Sequence, residues 1–240
     1  MDDLYITILD PSQTLSEELD RAFKKHLPET VQGRFMVAQT TLEHLKEPYN
    51  HFDCIVSPAN SYGRLDGGFD WFISEALAPP GSLEVPTQLA QATLYQKWKG
   101  YAPPGTCTLV SLLGSVCEKN KHDCAYIALC PTMRTPGSVS WNKEIVYNCV
   151  WSLLTALTNH NALVDEQQKS GSTGERRIRT VVMTGLATGV GAVSPIKFCQ
   201  QMVLAIRDFV QASADPKKWS TLEWEDILKI AADTQKTHDL

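Results

Sequence analysis

Two loops of this sequence combine residue types that can hold an anion and act on a nearby group. The first runs from Ser57 to Asp70 and places Asn60, two adjacent glycines and an aspartate between an apolar run and an amphipathic segment. The second, residues 185–195, carries three glycines, namely Gly185, Gly189 and Gly191. Glycines let backbone N–H groups approach phosphate oxygens, and the start of a helix can hold an anion. An amide both donates and accepts hydrogen bonds, and a carboxylate suits a general base.

Purely structural interpretations of the same residues stay open. Asp70 at a helix start can cap free N–H groups, and Asn60 can be an ordinary turn asparagine. The 185–195 loop can be a tight strand-to-helix connection. Two common phosphate motifs do not match: no Gly-Lys-Ser/Thr ending is present, and Ser194 stands where the third glycine of G-x-G-x-x-G would be. The G-x-S-x-G context of a serine hydrolase is also absent from the sequence.

The elements that must position these loops alternate between strands and helices. Six apolar, β-rich runs predict strands at 4–9, 34–38, 54–56, 107–113, 125–130 and 180–185. Apolar residues at helical spacing lie between most of them, which predicts an α/β three-layer sandwich with a mixed, largely parallel sheet of about six strands. Capping-box spacing at Thr14–Glu17 and Ser220–Glu223 predicts two helix starts, and Ser194-Pro195 predicts a third.

Composition favours one globular domain over residues 1–240 and does not exclude two. The 240 residues are 43% hydrophobic and 20% charged, enough for a single sizeable core. The polar segment 164–177 predicts a mobile insert, and 214–240 predicts a C-terminal helical extension. A net charge of −5 argues against binding long nucleic acid by a general electrostatic field.

The seven cysteines and six histidines show no metal-ligand spacing, so we expect reduced, mostly buried thiols and no metal site. No leader pattern is present, and no apolar run approaches the ~20 residues needed to span a bilayer. We therefore expect a cytoplasmic or nuclear protein without membrane contact.

The two loops resemble the motifs of the macrodomain family, which binds ADP-ribose and related metabolites. The first family motif, Asn-Ala/Pro-Ala-Asn followed by Gly-Gly-Gly-Val-Asp and a helix, is similar to "SPANSYGRLDGGFD" here. The second, roughly Gly-Thr-Gly-Ile-Gly-Gly after a strand, is similar to "ATGVGAV". The resemblance covers about residues 4–212. Within the family, the chain looks most like fungal proteins linked to ADP-ribose-1''-phosphate phosphatase activity. The chain departs from the first motif at Ser57, in place of asparagine, and Asp66, in place of glycine.

The resemblance implies a role for each matching position. Asn60 and Asp70 would be catalytic, with Asn60 on the distal ribose and Asp70 orienting or activating a water. Gln39 would accept a hydrogen bond from adenine, where many members carry aspartate. The residues implied to bind diphosphate and ribose are Ala59, Asn60, Gly67, Gly68, Phe69, Thr188, Gly189, Val190, Gly191 and Ala192. No cofactor is implied.

The sequence is compatible with three functions. The first is hydrolysis of a group from the distal ribose, either the phosphate of ADP-ribose-1''-phosphate or the link between ADP-ribose and a modified protein. The second is a non-catalytic module that only recognises ADP-ribose. The third is a degenerate macrodomain that serves as an interaction scaffold without a nucleotide.

Overall fold

A six-stranded sheet forms the centre of the molecule, whose computed structural model describes residues 3–171 and 174–240. The strands are β1 (Tyr5–Leu9), β2 (Phe35–Ala38), β3 (Cys54–Ser57), β4 (Thr108–Ser111), β5 (Tyr126–Leu129) and β6 (Thr180–Thr184). Their order is β2-β1-β6-β3-β5-β4. Every neighbouring pair is parallel except β4 and β5, which run antiparallel. All six predicted strands are confirmed.

Helices cover both faces of the sheet. They are α1 (Ser16–His26), α2 (Glu29–Gln32), α3 (Phe69–Leu77), α4 (Val85–Trp98), α5 (Ile145–Lys169), α6 (Pro195–Ala214), α7 (Pro216–Trp219) and α8 (Trp224–Gln235). Successive strand residues face opposite sides, so Cys54 and Val56 join the core under α1, α5 and α6. Ile55 joins the core under α3 and α4. The predicted three-layer sandwich with a mixed, largely parallel sheet is confirmed.

Asp10, and not the expected capping box, holds the start of α1. The N-cap is Leu15, without a side-chain cap, so the prediction that Thr14 and Glu17 form a capping box is wrong. The buried Asp10 carboxylate instead accepts hydrogen bonds from the backbone N–H groups of Thr14, Leu15 and Ser16, at 2.9 to 3.0 Å. Burial alone would raise the pKa of Asp10, but these bonds outweigh it and lower the pKa below its ordinary value.

Of the helix starts predicted near residues 194 and 220, only the first has the predicted cap. Ser194 caps α6 as predicted, because its Oγ accepts a hydrogen bond from the Lys197 backbone N–H at 3.1 Å. Ser220 ends α7 and does not begin α8, whose N-cap is Glu223. The Ser220 hydroxyl donates back to the Lys217 carbonyl of α7, and α8 begins only at Trp224, so the predicted Ser220–Glu223 capping box is wrong. Both α7 and α8 pack against α6.

The polar segment 164–177 does not begin as a loop. Helix α5 continues through Lys169, because Val164 is buried and extends its apolar face. The mobility of the remaining residues stays a prediction, and positions 172 and 173 lie outside the described residues. All seven cysteines are free, and all except the half-buried Cys107 are buried. Within the described residues, no helix is both long enough and apolar enough to cross a membrane.

Candidate functional site

A cleft of about 350 Å³ lies at the carboxyl ends of β3, β5 and β6. These strands are neighbours in the sheet, so the loops that follow them meet at one edge. The loop between β3 and α3 forms one wall, and the loop between β6 and α6 forms another. The loop after β5 supplies a third wall through Thr132, Met133 and Pro136. The two glycine-rich loops therefore border one shared cavity.

The start of α3 presents backbone donors at the first wall. Its N-cap is Gly68, and no side chain caps the first turn. The φ angle of Gly68 is 57°, a conformation that glycine adopts without steric cost. The first N–H groups of a helix have no partner within the helix, and the helix dipole favours negative charge there. This wall can therefore hold an anion.

The loop after β6 presents a second set of donors. Among the described residues, no group accepts a hydrogen bond from the backbone N–H groups of residues 188–191. The loop is tight: a Cβ on Gly191 would lie 2.6 Å from the Ala187 carbonyl oxygen and 2.8 Å from the Ala187 Cβ. Only glycine fits there without a shift of the backbone. Two walls of the cleft thus carry unpaired backbone donors, as a phosphate-binding loop does.

Asp70 lies in the cleft wall, although only 6% of its surface is exposed. The Ser57 hydroxyl donates a hydrogen bond of 2.6 Å to its Oδ1. Burial raises the pKa of Asp70 to about 7, against the lowering effect of the Ser57 bond, and the charge of Asp66 adds to the rise. Near neutral pH, Asp70 therefore exists in both protonation states, which suits an acid–base group.

Asn60 uses most of its amide to shape its own loop. Its Oδ1 accepts hydrogen bonds from the backbone N–H groups of Tyr62 at 3.0 Å and Arg64 at 3.4 Å. Its Nδ2 donates to the Arg64 carbonyl at 2.9 Å, which leaves one of its two N–H hydrogens for a ligand. The structural interpretation of Asn60 as a turn residue therefore applies, and Asn60 also lines the cleft.

A surface ion pair stands in the wall between Asn60 and Gly67. The Arg64 Nε donates to Asp66 Oδ2 at 2.9 Å, and Arg64 Nη2 bonds to the same oxygen. Both side chains are more than half exposed and line the cleft. Arg64 thus offsets the charge of Asp66, the residue that replaces the first glycine of the triplet.

Backbone pairing beyond the strand ends fixes the walls relative to one another. The Ser61 N–H donates to the Met133 carbonyl at 2.9 Å, and the Thr132 N–H donates to the Ala59 carbonyl at 3.0 Å. The Val139 N–H donates to the Gly191 carbonyl at 3.0 Å. The loop after β5 is therefore bonded to both glycine-rich loops.

Most residues predicted for the site line this cleft. They are Asn60, Gly67, Gly68, Phe69, Asp70, Thr188, Gly189, Val190 and Gly191. Ala59 is buried behind the wall, and the Ala192 N–H donates to the Gly189 carbonyl at 2.9 Å. Gln39 is exposed at the end of β2, with its Nε2 3.5 Å from the Ser16 Oγ. Neither Ala59, Ala192 nor Gln39 lines the cleft, so their ligand contacts stay predictions.

Three features of the site are not among the sequence-based predictions. The loop after β5 was detectable, because its strand ends at the same sheet edge as β3 and β6. The Ser57–Asp70 hydrogen bond has a weaker signal in the sequence, because Ser57 is only a hydroxyl residue at the end of an otherwise apolar strand. The contribution of Arg64 to the wall had no signal in the sequence, because it depends on the turn that Asn60 forms.

The chain is similar to proteins of known structure, although its sequence matches no family model. Macrodomains are among the solved structures similar to this chain. A macrodomain of Oceanobacillus iheyensis with ADP is 18% identical, over 68% of this chain and 73% of that chain, with a TM-score of 0.46.

Two further structures come from the same organism. A point mutant of that macrodomain with ADPR is 21% identical over 69% of this chain and 73% of that chain, with a TM-score of 0.45. The same macrodomain with MES bound is 16% identical over 78% of this chain and 86% of that chain, with a TM-score of 0.45. The finer resemblance to fungal ADP-ribose-1''-phosphate phosphatase-like proteins stays a prediction.

Proposed function

We propose that this chain binds an ADP-ribose-type ligand in the cleft and hydrolyses a group from its distal ribose, in the first place the 1''-phosphate. The observation that carries the proposal is the convergence of two backbone walls on one cavity. The start of α3 and the 188–191 loop both offer unpaired N–H donors there. A diphosphate can bridge two such walls because it has several acceptor oxygens.

Asp70 supports the hydrolytic part of the proposal. Its carboxyl group stands in the wall beside the start of α3 and carries a pKa of about 7. In its ionised form it can accept a proton from a water that attacks the phosphorus of the terminal phosphate. The new oxygen–phosphorus bond forms as the bond to the ribose oxygen breaks, and the proton then passes to that ribose oxygen. This role places Asp70 as a general base and then as an acid.

Phosphate release from ADP-ribose-1''-phosphate tests the proposed reaction. We expect turnover by the wild-type chain and little release by Asp70→Asn, which keeps the size of the side chain and removes its acid–base function. Thermal unfolding of both proteins serves as the folding control. Wild-type release no faster than that of the variant would refute the phosphatase reaction. An ADP-ribosylated protein as substrate tests the related reaction, release of ADP-ribose from a modified side chain.

A second candidate is a non-catalytic module that recognises ADP-ribose. The hydrogen bonds of Asn60 within its own loop favour it, because they leave a single N–H for the distal ribose. Titration calorimetry with ADP-ribose should show binding under either candidate, so turnover decides between them. Absence of both binding and turnover would leave the scaffold interpretation, which predicts no rise in melting temperature with nucleotide.

A further inference from the structure

Arg64 differs from the other residues of the cleft in its charge. It is the one cationic side chain among the described residues that line the cavity. Two carboxyl groups, Asp66 and Asp70, line the same cavity. An additional phosphate on a ligand brings further negative charge near these carboxyl groups, and the Arg64 guanidinium is placed to offset it.

The backbone around Arg64 is fixed, although its side chain is exposed. The Asn60 amide bonds both the N–H and the carbonyl of Arg64. The next residue, Leu65, is 1% exposed; its N–H donates to the Thr87 hydroxyl at 2.9 Å, and its carbonyl accepts from Ser74 at 2.7 Å. The Arg64 Cα is thus held at the wall beside Asn60, while its guanidinium can exchange partners.

The present partner of Arg64 is easily exchanged. Exposed ion pairs contribute only about 0–1 kcal/mol, and the Arg64 and Asp66 side chains are 58% and 52% exposed. A guanidinium group is planar and can donate two parallel hydrogen bonds to two oxygens of one phosphate. In this structure, both hydrogen bonds of Arg64 go to a single Asp66 oxygen. A phosphate dianion would use this fork more fully than Asp66 does.

We propose that Arg64 is the specificity residue for a terminal phosphate: it leaves Asp66 and binds the phosphate that the distal ribose carries. The inference rests on the proposed function, because it assumes that the diphosphate lies between α3 and the 188–191 loop. It adds the side chain that recognises the terminal phosphate and, from it, a binding preference for the phosphorylated ligand over unsubstituted ADP-ribose. Asp66 is then the resting counter-ion that competes with this phosphate.

Calorimetric titration of two ligands into matched variants tests this role. We expect Arg64→Ala to weaken binding of ADP-ribose-1''-phosphate by at least about tenfold, as for loss of a charge-assisted hydrogen bond, and to change ADP-ribose binding much less. Arg64→Lys should lie between wild type and Ala, because an ammonium keeps the charge without the fork. Arg21→Ala is the control, since it also breaks an exposed arginine pair, with Glu17 at 3.3 Å on α1. It should bind both ligands as wild type does.

Asp66→Asn should change the affinity for ADP-ribose-1''-phosphate in the opposite direction from Arg64→Ala. Without the competing carboxylate, we expect tighter binding of ADP-ribose-1''-phosphate, which a variant damaged in folding would not show. Equal losses for both ligands in Arg64→Ala, or weaker binding of the phosphate form by Asp66→Asn, would overturn the role of Arg64. A wild-type chain that binds neither ligand would instead overturn the proposed function, so the two failures are distinguishable.

Discussion

Replacing Asp70 by Asn should remove a destabilising effect that grows with pH. The folded-state pKa of Asp70 is about 7, raised from 3.8 chiefly by burial. Between these two pH values the folded chain keeps a proton that the unfolded chain has released. The free energy of unfolding of the wild type must therefore fall as pH rises through this window. The asparagine of the variant has no such proton, and its amide oxygen can still accept the hydrogen bond from Ser57.

The size of the effect follows from the two pKa values. Each unit of difference corresponds to about 1.4 kcal/mol, so Asp70 costs the folded state about 4 kcal/mol by pH 8 relative to acid conditions. Asp70→Asn should thus gain up to about 4 kcal/mol on the wild type between pH 4 and pH 8. Above the folded-state pKa the difference should become constant, because both states are then ionised.

Urea unfolding followed by tryptophan fluorescence at several pH values measures this difference. All other titrating groups are common to the two proteins, so their effects largely cancel in the comparison. The expected result is a difference in the free energy of unfolding that rises with pH and levels off above pH 7. A difference that stays flat over the range would show that Asp70 is not held protonated by its surroundings, and the acid–base argument for the cleft would fail with it.

Two further predictions concern the hydroxyl beside Asp70 and the tight loop after β6. Ser57→Ala removes the hydrogen bond that lowers the pKa of Asp70, so the midpoint of any Asp70-dependent pH–rate profile should move to higher pH; an unmoved midpoint would contradict this. Gly191→Ala places a Cβ 2.6 Å from the Ala187 carbonyl oxygen and should destabilise the fold by about 1–3 kcal/mol in urea unfolding. Gly189→Ala is its control, since an added Cβ there meets no atom within 4 Å, and equal losses from both changes would rule out the steric explanation.

The strands and the two main loops of the site were predictable because their signals are local. Each strand is a short apolar run, and each loop is marked by glycines directly after such a run. The start of α1 was predicted with the wrong cap: Asp10, only a few residues upstream, accepts the N–H groups of Leu15 and Ser16, and no capping-box spacing marks that contact. The hydrogen bond from Ser57 to Asp70 also depends on how β3 and α3 pack. Local patterns therefore located the cleft, while its acid–base properties required three-dimensional contacts.

The position of β6 in the sheet sets an order of events during synthesis. Strand β6 is the last of the six strands to be made, yet it lies between β1 and β3 and pairs with both. Until the ribosome has released residues 180–184, the pair β1–β2 and the trio β3–β5–β4 have no strand to join them. The wall after β6 can join the walls after β3 and β5 only when that insertion is complete, so under the proposed function a nascent chain that ends before β6 should be unable to bind its ligand.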